Sequence, residues 1–166
     1  ELGDLIAAHI PQQDPEHPDV RRAARRRGLD TGQERAAAAV ASTDPLVVVE
    51  GAAGAGKTTM LGAAIEVAAR HGRASRVVAP TLRAAQVAHD ELSVPATSAA
   101  ALVHAHGWRW NSDGVWTRLA PGDTDPDTGR IYRGPAEDAR LALGERVIVD
   151  EAGMLDQDTA IALLTM

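Results

Sequence analysis

Two stretches of this chain hold residues whose types and spacing promise chemistry. The first is Gly51-Ala-Ala-Gly54-Ala55-Gly56-Lys57-Thr58-Thr59. It fits G-x-x-x-x-G-K-[ST], a loop whose backbone N–H groups cradle phosphates. Of the 17 Lys and Arg residues only Lys57 is a lysine. The cation at this one place is a compact ammonium on a flexible stem, able to follow a phosphate chain where a planar guanidinium would crowd the loop. The expected roles follow from type. Gly51, Gly54, Ala55, Gly56 and Thr59 wrap a nucleoside triphosphate such as ATP, Lys57 reaches its β- and γ-phosphates, and the Thr58 hydroxyl ligates Mg²⁺. The second stretch is Val147-Ile-Val149-Asp150-Glu151. An acid at the tip of an apolar strand suits the shell of a hard cation, and Asp150 takes that role. A second carboxylate beside it is placed to take a proton from an attacking water, and Glu151 takes that one.

Other residues carry a sharper and a plainer reading each. Gln33 offers an amide that can read adenine, or is a surface residue. Thr81 and Arg83 lie where open α/β sheets bind ligands and are placed to meet a nucleic-acid backbone, though Thr81 also suits a helix cap. The cluster Arg21-Arg22-Ala-Ala-Arg25-Arg26-Arg27 is either a solvated helix face or a phosphate-contact patch. Trp108, Trp110 and Trp116 either stack bases or form the core of a small hairpin. His104 and His106 have no acid nearby in sequence and read as structural.

These groups need a scaffold at their backs. Leu46–Val49, Arg76–Ala79 and Arg146–Val149 are continuous apolar runs rich in valine, as expected of strands buried on both faces. Helices are expected from Thr31 to about Ala41, from Lys57 to Arg70, from Thr81 to about Leu92, over residues 97–106, and from about Asp156. Asp30 or Thr31 caps the first, with Glu34 three residues after Thr31 as in a capping box. Asn111-Ser-Asp-Gly114 between tryptophans predicts a hairpin, and residues 120–139 read as a surface excursion rich in Pro, Gly and Asp. Residues 1–19, with Pro11, Pro15 and Pro18, read as irregular. Alternating strands and helices predict a parallel α/β sheet.

Composition narrows the classes. Acids outnumber bases 23 to 17, for a formal net charge of −6, so nucleic-acid contact must come from a local patch. Cysteine is absent, which excludes disulfides and thiolate metal sites. Abundant alanine, no Phe and Arg in place of Lys read as the mark of a GC-rich coding sequence. No apolar run approaches the roughly 18 residues of a membrane span, and a soluble cytoplasmic protein is the expectation. Because the chain opens on Glu1 and stops inside an apolar periodic stretch, it is expected to be cut from something longer.

Together, Gly-Leu-Asp-Thr-Gly-Gln33-Glu-Arg-Ala, Gly51–Thr59, Ala79-Pro-Thr81-Leu-Arg-Ala-Ala and Val149-Asp-Glu-Ala-Gly-Met154 resemble the N-terminal motor half of superfamily 1 DNA helicases of the RecD-like type. Leu102-Val-His-Ala-His-Gly-Trp-Arg-Trp110 and Asp150-Glu-Ala-Gly-Met-Leu-Asp-Gln-Asp158 are similar to the helicase region of actinobacterial conjugative relaxases of the TraA or MobF type. The resemblance implies a P-loop NTPase fold of the RecA-like kind, a parallel sheet flanked by helices, incomplete here, with a small hairpin insertion over about 107–142. Residues 28–166 are then the N-terminal part of the motor domain, and 1–27 a linker or the tail of a preceding domain. The resemblance also implies ATP and Mg²⁺ as cofactors, adenine recognition by Gln33, and contact with single-stranded DNA near Pro80-Thr81 and Thr97. Related helicases carry a His shortly after that threonine, where this chain has Ser98-Ala-Ala-Ala. A second motor domain and a relaxase nuclease are the implied partners in cis, so this chain alone is expected to hydrolyse ATP slowly. Two other classes use a phosphate loop: a phosphotransferase with an arginine-bearing lid, and a nucleotide-binding module without turnover.

Overall fold

The three apolar runs do not share one fate. In the computed structural model, which describes residues 2–9, 16–51 and 54–166, two of them form strands of one parallel sheet. β1 (Ser75–Ala79) is its middle strand, flanked by β2 (Ala96–Ser98) and β5 (Arg146–Val149). β1 pairs Val78 with Thr97 on one side and with Val149 on the other, both in parallel register. All five residues of β1 are buried, as a strand covered on both faces must be. Alternation splits them: Val77 joins one core cluster and Val78 the other.

Helices make both cores. On the Val77 face lie α2 (Arg21–Arg27), α3 (Thr31–Val40) and α4 (Lys57–Arg70), packed through Ala23, Ala37, Val40, Met60 and Ala64. α5 (Leu82–Leu92) adds Ala88 to that cluster. On the Val78 face Leu102 of α6 (Ala99–Ala105) and Leu163 of α7 (Gln157–Leu164) close over Val147 and Val149. Small alanines at the helix contacts let backbones approach closely, and the abundance of alanine thereby becomes a packing property.

Leu46–Val49 forms no strand. Val47 and Val49 turn inward onto the α3/α4 core, but Val48 is 79% exposed. One face is thus buried rather than two. The physical reason is that, among the described residues, no neighbouring strand pairs with this backbone, so a valine-rich run has no ladder to join. Its upstream end is nevertheless fixed. The guanidinium groups of Arg73 and Arg146 both donate to the Ser42 carbonyl, Arg146 at 2.7 Å.

Four further expectations are corrected. Residues 1–19 are not wholly irregular: Leu2–Ala8 is a helix, α1, which contacts α7. Pro11 and Pro15 lie outside the described residues. The linker reading of residues 1–27 does not fit Val20–Arg27, because Val20 and Ala23 belong to the same core as α3 and α4. The capping box of α3 runs between Asp30 and Gln33 rather than Thr31 and Glu34. β2 was hidden inside the stretch expected to be helical over 97–106; only Ala99–Ala105 is helix.

The insertion keeps its expected form. β3 (Trp108–Trp110) and β4 (Trp116–Arg118) make an antiparallel hairpin that pairs Trp110 with Trp116. Their rings stack at 4.8 Å. The following excursion is anchored by a buried ion pair, Arg109 to Asp125 at 2.7 Å. It is tied to β1 by Arg76, which pairs with Glu145 at 3.0 Å and donates to the Asp138 carbonyl at 2.7 Å.

Candidate nucleotide-binding site

The C-terminal edge of the sheet gathers the two motifs. β5 ends at Val149, and the Asp150 amide still donates to the Val78 carbonyl at 2.9 Å. That bond fixes Asp150 at the rim of β1. The next residue, Glu151, leaves the strand in a left-handed conformation, φ 54° and ψ 40°. Such a backbone is costly for a residue with a Cβ. The turn is braced by the Glu151 amide, which donates to Asp150 Oδ1 at 3.0 Å. It carries the Glu151 carboxylate back toward the loop, where Glu151 Oε1 lies 3.5 Å from Lys57 Nζ.

Lys57 is the first residue of α4, whose cap, Gly56, is left-handed at φ 70°. The stem of Lys57 crosses the loop, since a Cβ on Gly51 would meet Lys57 Cγ at 3.7 Å. The α4 N-terminus directs its free N–H groups and partial positive charge to the same place. A 14-residue helix with seven buried residues holds that end rigid. Within the loop, Ala52 and Ala53 lie outside the described residues.

Thr58 and Asp150, the two expected oxygen ligands, line one groove of about 360 Å³ together with Thr81 and Arg83. Hydroxyl and carboxylate oxygens are the donors a hard divalent cation selects, so these residues fit Mg²⁺. Among the described residues no separate cluster of His, Asp and Glu offers a rival metal site. Gln33 reaches the loop from α3: its Nε2 donates to the Ala55 carbonyl at 2.8 Å.

The expected nucleic-acid residues separate. Thr81 and Arg83 are exposed at the groove, but the Thr81 hydroxyl also caps α5, accepting from the Ala84 amide at 3.1 Å. Thr97 sits in β2, partly buried and paired with Val78, away from the groove's lining. Sequence reasoning passed over Leu61, Val87, Glu91 and Leu92, which form the groove's α4 and α5 walls. Their signal was the exposed apolar side of α5, where Leu82 is 74% and Val87 49% exposed. His106 is structural as expected, its Nε2 lying 3.0 Å from the Ala139 carbonyl.

A parallel sheet covered on both faces, a Gly-rich loop opening a helix, and an Asp-Glu pair at a neighbouring strand tip define a P-loop nucleotide-binding domain of the α/β class. Residues 28–166 match the family model described as an AAA domain, and the chain belongs to that family. No curated protein and no solved structure matches it. No helix among the described residues is long and apolar enough to cross a membrane.

Proposed function

We propose that this chain binds ATP with Mg²⁺ and serves as the nucleotide-hydrolysing part of a DNA helicase or translocase motor, within a conjugative relaxase. The observation that carries the hydrolytic reading is the approach of Glu151 Oε1 to Lys57 Nζ, 3.5 Å apart. A module that only held nucleotide would need the lysine and the glycines; a carboxylate beside the lysine expected to hold the terminal phosphate stands within reach of a water attacking that phosphate. Lys57 binds the phosphates and loses Glu151 as its partner when they arrive. Glu151 then faces the terminal phosphate as general base, while Thr58 and Asp150 hold Mg²⁺. The bound cation neutralises phosphate charge.

The motor part of the reading is supported by the AAA family match and by the groove that joins Thr58 and Asp150 to Thr81 and Arg83. A nucleic-acid strand at Thr81 and Arg83 would lie in the same groove as the metal ligands Thr58 and Asp150, close enough for nucleotide state to be felt. The relaxase context rests on the sequence resemblance alone. The phosphotransferase alternative has little to stand on, since Arg130, Arg133 and Arg140 sit in an excursion anchored away from the groove.

The test is ATP binding and turnover, with and without single-stranded DNA. Lys57→Ala abolishes binding. Glu151→Gln keeps Mg-ATP affinity within about threefold and lowers turnover by at least about a hundredfold, the span of a lost general base. Turnover unchanged in Glu151→Gln would sink the hydrolytic role, and turnover indifferent to DNA would sink the motor role.

A further inference from the structure

Gln33 lies far from the phosphate loop in sequence, yet both ends of its side-chain amide are engaged, one at its own helix cap and one on the loop. Oε1 accepts from the Asp30 amide at 2.9 Å, and Nε2 donates to the Ala55 carbonyl at 2.8 Å. The Gln33 amide in turn donates to Asp30 Oδ1 at 2.8 Å. This reciprocal box fixes where the side chain leaves α3. The fit on the loop side is close. A Cβ on Gly56 would stand 2.7 Å from Gln33 Nε2, so a side chain there would displace the amide, while the φ of 70° already favours glycine.

A trans peptide unit carries its C=O and N–H on opposite sides. Pinning the Ala55 carbonyl toward Gln33 therefore turns the Gly56 N–H away from Gln33. The unit turns about ψ of Ala55 and φ of Gly56; Gly56 is left-handed at φ 70°, and a glycine on that side lowers the resistance to a flip. Without the tether the same unit can rotate and present a carbonyl where a phosphate needs a donor. The tether also leaves the amide able to recognise a base. Of its two N–H donors and two oxygen lone pairs, one of each is used. The remaining donor and acceptor are the combination with which a glutamine reads an adenine edge.

We propose that Gln33 is a positioning residue for the phosphate loop. It sets the orientation of the Ala55–Gly56 peptide and so supports phosphate binding whatever base is attached. The inference rests on the nucleotide reading above and goes beyond base recognition, which alone would make Gln33 matter only for adenine.

A ligand without a base separates the two. Binding of Mg-ATP, Mg-GTP and Mg-tripolyphosphate is measured for the native chain, Gln33→Glu and Gln33→Met. Glutamate keeps an oxygen for the Asp30 amide but has no N–H for Ala55; methionine is neutral and has neither. Both variants lose about three- to tenfold affinity for all three ligands, the span of one net hydrogen bond. Gln33→Glu unfolds at the native temperature, which a merely structural role for Gln33 would not allow. The neutral Gln33→Met losing as much as Gln33→Glu excludes charge repulsion as the cause. Tripolyphosphate affinity within twofold of native, with ATP affinity reduced, overturns the proposal and leaves Gln33 a base reader. If the native chain binds none of the three, the nucleotide reading itself falls; if it binds them and the variants bind equally well, only the positioning role falls.

Discussion

At the level of single residues, the site stores strain where it needs direction. Glu151 is one of two described non-glycine residues with positive φ, the other being Ser93 at the end of α5. The left-handed turn is what swings its carboxylate from the strand tip to Lys57. That ion pair is partly exposed, with side-chain accessibilities of 34% for Lys57 and 54% for Glu151, and contributes little to stability by itself. Replacing Glu151 by glycine should therefore stabilise the ligand-free chain by about 0.5–1 kcal/mol, through relief of the backbone cost. Glu151→Gln should leave stability within about 0.5 kcal/mol, because it keeps the Cβ and the turn. Urea unfolding distinguishes these. A glycine variant less stable than the native chain would mean that the side chain, not the turn chemistry, holds this segment in place.

At the level of elements, packing decides which readings of the sequence survive. Leu102 is 1% exposed between β1 and α7, with Val78 and Leu163 in the same cluster. Leu102→Ala should cost about 2–5 kcal/mol, seen as an early urea midpoint; a loss under 1 kcal/mol would show that α6 is not needed to cover the sheet. Thr81→Ala removes the α5 cap and should cost about 1 kcal/mol. The helices α3, α5 and α7 were legible because caps and periodicity are local: Asp30, Thr81 and Asp156 each announce the start that the structure contains. β1 and β5 were legible as apolar runs. Leu46–Val49 was not, since its composition is that of a central strand and its exposure is set by which backbone lies beside it. β2 was missed because Ala-Thr-Ser has no apolar run; its pairing with β1, not its composition, makes it a strand. In the site, the phosphate loop and Asp150-Glu151 were legible as motifs, whereas the Gln33–Ala55 tether spans 22 residues and depends on how α3 leans on the loop.

For the molecule as a whole, carboxylates tie together parts that the sheet does not. Glu66 on α4 receives Arg26 and Arg27 from α2 and Arg70 from its own helix. Burial pushes its carboxyl up, but the hydrogen bonds and charges of Arg27 and Arg26 outweigh that, leaving it below the ordinary range. Hydrogen bonds from Arg109 hold Asp125 well below that range despite its burial, and so fasten the insertion. The Thr159 amide lowers Asp156 at the start of α7. Hydrogen bonds from Arg21 bring Asp19 down to about 2. All four shifts have one sign. Unfolded carboxyls titrate near 4, so below that pH the unfolded chain binds more protons than the folded one, and stability falls with pH. The contribution is complete above about pH 4 and is lost toward about pH 2, where Asp19 also protonates. Self-repulsion acts in the same direction, because acid leaves the 17 Lys and Arg and six His without compensating carboxylates. The thermal midpoint should stay level from pH 7 to 5 and drop between pH 4 and 2. Glu66→Gln should unfold at a lower temperature than the native chain at pH 7 and lose less between pH 4 and 2, because its side chain no longer titrates. Scanning calorimetry across that range checks both, and a native midpoint indifferent to pH between 5 and 2.5 would mean that these ion pairs do not hold the helices and the insertion to the sheet.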